Sequence, residues 1–133
     1  MKGYLLDTHT LLFALYEPFR LSPEAQRAIE NAQSPLYVSS ASAWEIATKH
    51  RLGKLGAPDL DIEPLLLDYA RQLRRLGAAD LSITSAHALL AGSFEADHKD
   101  PFDRILAAQA RLENLTLISK DPALDAFGVR RLW

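Results

Sequence analysis

Four acids in this chain, Asp7, Glu45, Asp103 and Asp121, stand at places where a strand or a helix is expected to begin or end. Carboxylates forced together repel one another, so either their pKa values rise or a cation neutralises them. Oxygen donors, in a chain with no cysteine, favour a hard ion such as Mg²⁺ or Mn²⁺. One or two such ions can lower the pKa of bound water, orient it and stabilise charge on a phosphodiester during in-line displacement. The chemistry this set points to is that of a nuclease.

Each acid also has an ordinary explanation. Asp100 and Asp103 flank Pro101 at a helix start, where unpaired N–H groups and the helix dipole favour carboxylates. Glu45 can pair with Lys49 one turn on, although small or apolar neighbours at Ala41, Thr48 and Leu52 argue for a less exposed acid. Asp121 precedes Pro122 and can open a turn or a single helical turn. Asp7 is the hardest to explain away, because an acid directly after a buried strand either turns the chain or binds something.

The elements that would position these acids follow from periodicity and capping. Tyr4 to Leu6 reads as a strand, followed by a helix over Thr10 to Tyr16. Ser22-Pro23 opens a helix through about Ala32, and Leu36 to Val38 is the next strand. Ser39 to Ser42 offer caps for a helix to about Leu52, stopped at Gly53. After a loop over Pro58 to Asp61, Ile62 to Leu76 predicts the longest helix, closed by Gly77. Asp80 to Thr84 is a short strand and Ser85 to Ala91 a short helix, with a polar loop from Gly92 to Lys99. Asp100-Pro101-Phe102-Asp103 starts a helix to about Glu113. Leu115 to Ile118 is the clearest strand, and Val129 to Leu132 a last one.

Strands alternating with helices predict an α/β fold, a three-layer α/β/α arrangement around a parallel sheet of four to five strands. In such sheets the carboxyl ends of strands and the amino ends of the following helices share an edge. That edge is where all four acids are expected to meet.

At 133 residues one domain spanning 1–133 is expected. With 48% hydrophobic and 24% charged residues the composition is that of an ordinary folded protein. A net charge of −2 excludes nucleic-acid binding driven by a strongly basic surface. The lack of cysteine fits a reducing, cytoplasmic compartment, and the apolar run before Asp7 is too short for a signal peptide or membrane span.

Five segments in order resemble the PIN-domain family, most closely its VapC-type toxins of toxin–antitoxin pairs. They are Leu5-Leu6-Asp7-Thr8-His9, Val38 to Ile46, His98 to Ala110 with Asp100-Pro101-Phe102-Asp103-Arg104 as its most distinctive part, Leu117 to Asp121, and Gly128 to Trp133. The resemblance implies a metal-dependent endoribonuclease in which Asp7, Glu45, Asp103 and Asp121 bind Mg²⁺ or Mn²⁺ and carry catalysis. Thr8 and Ser119 would be supporting hydroxyls, the latter at a position where such proteins often have threonine. Asp100 would either join the pocket or cap its helix. The same resemblance implies an RNA substrate, a VapB-type antitoxin that covers the site, and often a homodimer.

Arg104 and Lys120, and less directly Lys49 and Arg51, are near enough in sequence to contact substrate phosphates. His9 and His98 flank acidic motifs, but a lone histidine is more often an ordinary polar residue, as His50 and His87 are read to be. Trp44, Phe13 and Tyr16 are read as core.

Two other functions compete. A phosphotransfer domain of the haloacid-dehalogenase or receiver type also places an acid after its first strand. The former needs a second aspartate two residues later, where this chain has His9, and the latter needs a phosphate-accepting aspartate and a lysine for which no convincing set exists. A non-catalytic module of the same fold is the other alternative, opposed by the presence of all four acids.

Overall fold

Leu5 and Leu6 are neighbours in sequence that face opposite ways, as successive residues of a strand must. In the computed structural model, which describes residues 3–31, 33–55 and 60–133, both are fully buried. A strand can bury both faces only if both sides of its sheet are covered.

Five strands form that sheet: β1 (Tyr4–Leu6), β2 (Leu36–Ser39), β3 (Ala78–Leu81), β4 (Thr116–Ile118) and β5 (Arg131–Leu132). All pair in parallel, in the order β3-β2-β1-β4-β5. Register puts Leu5 beside Tyr37 and Leu117, and Leu6 beside Val38 and Ile118. The first row packs with Leu106, Ala107, Ala110, Leu124 and Phe127. The second packs with Leu11, Leu12, Ala25, Ile46, Leu65 and Leu73. The result is the expected three-layer α/β/α fold, at the upper end of the expected strand number.

The helices are α1 (Thr8–Tyr16), α2 (Pro23–Glu30), α3 (Ser40–Arg51), α4 (Glu63–Leu67), α5 (Tyr69–Leu76), α6 (Ser85–Ser93) and α7 (Pro101–Leu112). Sequence chemistry explains their starts. Ser22 accepts from the Ala25 N–H ahead of Pro23, Thr84 from His87, and Asp100 from Phe102 and Asp103. Short 3₁₀ turns cover Pro18–Arg20 and Pro122–Phe127.

Two expectations need correction. The single helix over Ile62 to Leu76 is two, α4 and α5, broken at Asp68, whose backbone leaves helical geometry (φ −145°, ψ 65°) and whose carboxylate caps α5 through the Arg71 N–H. The longest helices are therefore α3 and α7, at 12 residues each. The third strand starts at Ala78, directly after Gly77, rather than at Asp80. Gly77 supplies the left-handed turn (φ 79°) that closes α5 and allows this abrupt start. Of the expected loop over Pro58 to Asp61, Pro58 and Asp59 lie outside the described residues, and the second helix ends at Glu30, capped by Asn31, short of the expected Ala32.

The chain leaves β1 toward β2 and β3 on one side and returns to β4 on the other. Strand order thus reverses between β1 and β4, and the carboxyl edge there is where a crevice forms in such sheets.

A candidate acidic active site at the carboxyl edge of the sheet

Asp7 is the first residue past β1 and the N-cap of α1. Its N–H donates to the Ile118 carbonyl at 3.2 Å, extending the β1–β4 ladder by one bond. Its Oδ1 accepts from the Thr10 N–H at 2.8 Å, and the Thr10 hydroxyl donates to the same Ile118 carbonyl at 2.9 Å. The carboxylate is thereby fixed at the switch point, only 7% exposed. Burial pushes its pKa up, against the lowering effect of the Ser119 hydroxyl and the Thr10 N–H.

Glu45 reaches the same edge from α3, one turn inside its N-terminus, and is 4% exposed. The Thr8 hydroxyl donates to its Oε1 and also contacts the Ser42 hydroxyl at 3.0 Å. The Lys49 ammonium donates to Oε2. A buried carboxylate without such partners would cost several kcal/mol, on the order of a stranded ion. The expected pairing with Lys49 is present, but it is a partly buried pair and not a solvated one.

Asp103 comes from the first turn of α7. His98 Nε2 lies 2.7 Å from its Oδ2. Burial raises its pKa to about 6, opposed by the His98 hydrogen bond and reinforced by the nearby charges of Asp100 and Glu45. Asp100 caps α7, its Oδ1 accepting from the Phe102 and Asp103 N–H groups at 2.8 and 3.2 Å. It does so close enough to act on Asp103 and on Lys49, whose field also includes Glu45 and Asp103. The cap role and the pocket position of Asp100 are thus compatible.

Asp121 is on the rim. It is exposed, its carboxylate caps the 3₁₀ turn through the Ala123 N–H at 2.9 Å, and its own N–H donates to Ser119 Oγ at 3.1 Å. Ser119 is fully buried and bridges Asp121 to Asp7. Glu45, Asp100 and Asp103 share one electrostatic neighbourhood, Asp7 joins it through its chain neighbour Thr8, and Asp121 borders it through Ser119.

Among the described residues no three acids or histidines converge on a single point as a closed metal cage. Glu45 is directed to Lys49 and Asp103 to His98. The donor set still suits a hard cation of the Mg²⁺ type, which commonly keeps several waters and takes only one or two carboxylates directly. Burial raises the pKa of Asp7, and burial together with the charges of Asp100 and Glu45 raises that of the partly buried Asp103, so a cation beside either carboxylate would favour its ionised form.

Three readings from sequence are corrected here. Arg104 is not presented to a substrate. Its guanidinium donates to the carbonyls of Ala91, Phe94, Ala96 and His98 and sits against the Phe94 and Phe127 rings, so it fastens the segment before α7. Trp44 is not core but 63% exposed, with its ring against Phe102. His98 is not a bystander, because it holds Asp103. Ser42 also belongs to the site through its contact with Thr8, and its place one helical turn before Glu45 is the sequence signal for it. Lys120, Arg51, His9 and His50 are exposed, while Phe13 and Tyr16 pack partly buried against the core.

Comparison with known proteins agrees with this architecture. The family model described as PIN domain matches residues 4–129. Ribonuclease VapC22 of Mycobacterium tuberculosis (strain ATCC 25618 / H37Rv) is 32% identical over 126 residues, covering 93% of this chain and 91% of that protein. Ribonuclease VapC16 of the same organism is 38% identical over 64 residues, 48% of this chain and less than half, 43%, of that protein. Among solved structures, DNA-bound VapBC from Salmonella typhimurium superposes with a TM-score of 0.69 at 18% identity, covering 99% of this chain and 98% of that one. That likeness speaks for the fold, and the sequence matches speak for descent. With its five parallel strands, its acid-lined switch point and a family match over almost its whole length, the chain belongs to the PIN domain family.

Proposed function

We propose that this chain is an endoribonuclease that hydrolyses RNA phosphodiester bonds with Mg²⁺ or Mn²⁺, acting as the toxin of a VapBC-type toxin–antitoxin pair. The observation that carries the reading is the gathering of acids from four separate stretches of sequence around one sheet edge, two of them with pKa values raised by burial. The relatives named as ribonucleases support the reaction class.

In this reading Asp7, Glu45, Asp103 and Asp121 hold the cation. When bound, a hard divalent ion supplies an acidified water and offsets charge on the phosphate. The other groups set geometry. Thr8 fixes one oxygen of Glu45, Ser119 and Thr10 orient Asp7, and His98 orients Asp103. Lys49, drawn to Glu45 and to the field of Asp100 and Asp103, keeps the pocket from being uniformly negative and can meet a phosphate oxygen. Lys120, exposed beside Asp121, is a second contact for the RNA backbone. The chain works as one domain in the cytoplasm, as a homodimer, with a VapB-type antitoxin covering the acidic edge. No described helix is long and apolar enough to cross a membrane.

The test is cleavage of cellular RNA by purified protein with Mg²⁺ or Mn²⁺ and with excess chelator, followed by sequencing of the new ends. Metal-dependent cuts at a restricted set of sites are expected, and cleavage undiminished by chelator would contradict the mechanism.

A further inference from the structure

Trp44 is a large apolar ring left in solvent halfway along α3, one residue before the almost fully buried Glu45. Its ring meets that of Phe102 edge-on, with centroids 4.9 Å apart and planes at 73°. Phe102 lies between Asp100, the cap of α7, and Asp103. The aromatic pair therefore ties together the same two helices that deliver Glu45 and Asp103.

We propose that Trp44, braced by Phe102, is a base-stacking subsite for single-stranded RNA beside the acid pocket. The inference rests on the ribonuclease reading and adds to it the part of the substrate that is gripped. An edge-on partner covers at most one face of the indole, and at 63% exposure Trp44 keeps ring surface open to a flat partner. Both rings sit on helices, so little further ordering is needed on binding. The chain carries a net charge of −2 and its pocket is acidic, so attraction for phosphate cannot supply most of the affinity. Stacking on an uncharged ring can, and it tolerates any base because every base has a π face. Phe19, Leu67 and Leu89 are also exposed but lie on elements that contribute no acid to the pocket, and exposed Leu112 is at the opposite end of α7 from Asp103.

The chain has two tryptophans, and Trp133 packs on Phe13, so W133F leaves Trp44 as the sole indole reporter. In a W133F protein also carrying Asp7→Asn to suppress turnover, oligouridylate and oligoadenylate should quench Trp44 emission in Mg²⁺. An abasic ribose-phosphate oligomer of equal length should quench far less. W44A should weaken oligonucleotide binding about tenfold, measured by anisotropy of labelled RNA, and W44F should restore most of it. In the enzyme with its acids intact, W44A should raise KM about tenfold with kcat nearly constant. Equal affinity in W44A, or equal quenching by the abasic oligomer, overturns the proposal. So does a W44A protein that binds RNA normally but changes its self-association in sedimentation, which would assign the ring to a protein interface. Trp44-dependent RNA binding in a protein that never cleaves would count against the ribonuclease reading while supporting the stacking subsite.

Discussion

Helix α7 has a histidine facing a carboxylate at each end, and the two pairs live in different surroundings. At its C-terminal end His87, 2% exposed, accepts the Thr84 N–H at Nδ1 (2.9 Å), so its proton is on Nε2 and is donated to Glu113 at 3.0 Å. Every polar atom of that imidazole is matched, and Glu113 projects into solvent at 45% exposure. The arrangement closes the start of α6 onto the end of α7. At the N-terminal end His98 and Asp103 are each a little over one-fifth exposed, and Asp103 also feels Asp100 and Glu45. The first pair completes a packing joint. The second leaves a carboxyl that is hard to ionise, facing further acids, which is the usual signature of a group arranged for a ligand or a reaction. A histidine–carboxylate contact has no fixed meaning, and the charges around it decide its role.

Substitutions at the two ends should therefore separate activity from stability. The largest effect is expected from Asp103→Asn, which should lower RNA cleavage at least about 100-fold without lowering the melting temperature, since it also removes a carboxylate that is hard to ionise in the folded state. Glu113→Gln should cleave within about twofold of the parent in the same assay. A smaller effect, on stability alone, is expected from His87→Ala. It strands the Thr84 N–H and removes a buried ring, so it should cost about 1–3 kcal/mol in chemical denaturation and spare kcat. Loss of activity without loss of stability in His87→Ala would erase the distinction between the pairs.

Much of this arrangement can be read from the chain. Leu5-Leu6-Asp7 carries strand, pleat and acid in three residues, and Asp100-Pro101 announces a helix start that the fold uses as written. These signals are local, and local chemistry decides them. Asp68 shows where such reading fails. The apolar spacing of Leu65, Leu66, Tyr69, Leu73 and Leu76 runs straight through it, and periodicity cannot register one residue leaving helical geometry. The placement of Arg104 and Trp44 escapes sequence reasoning for a different reason. Whether a guanidinium meets phosphate or backbone carbonyls depends on how residues 91–98 fold back over it, and whether an indole is buried depends on how α3 and α7 approach each other. Both are tertiary facts, and no window of sequence contains them.

The central claim is that the clustered acids form a cation site, and thermal unfolding with and without Mn²⁺ across pH tests it most directly. Asp103 binds its proton more tightly folded than unfolded, with a pKa raised from 3.8 to about 6, and Asp7 shifts the same way. Stability should therefore fall as pH rises through that window, by at most about 3 kcal/mol for Asp103, because the folded state must then hold ionised, crowded carboxylates. Mn²⁺ bound to those carboxylates should offset the loss, raising Tm clearly at pH 7 and little at pH 5, where protons compete for the same oxygens. Asp7→Asn should remove most of the Mn²⁺-dependent rise. An equal rise at both pH values, or one that survives in Asp7→Asn, would contradict the account.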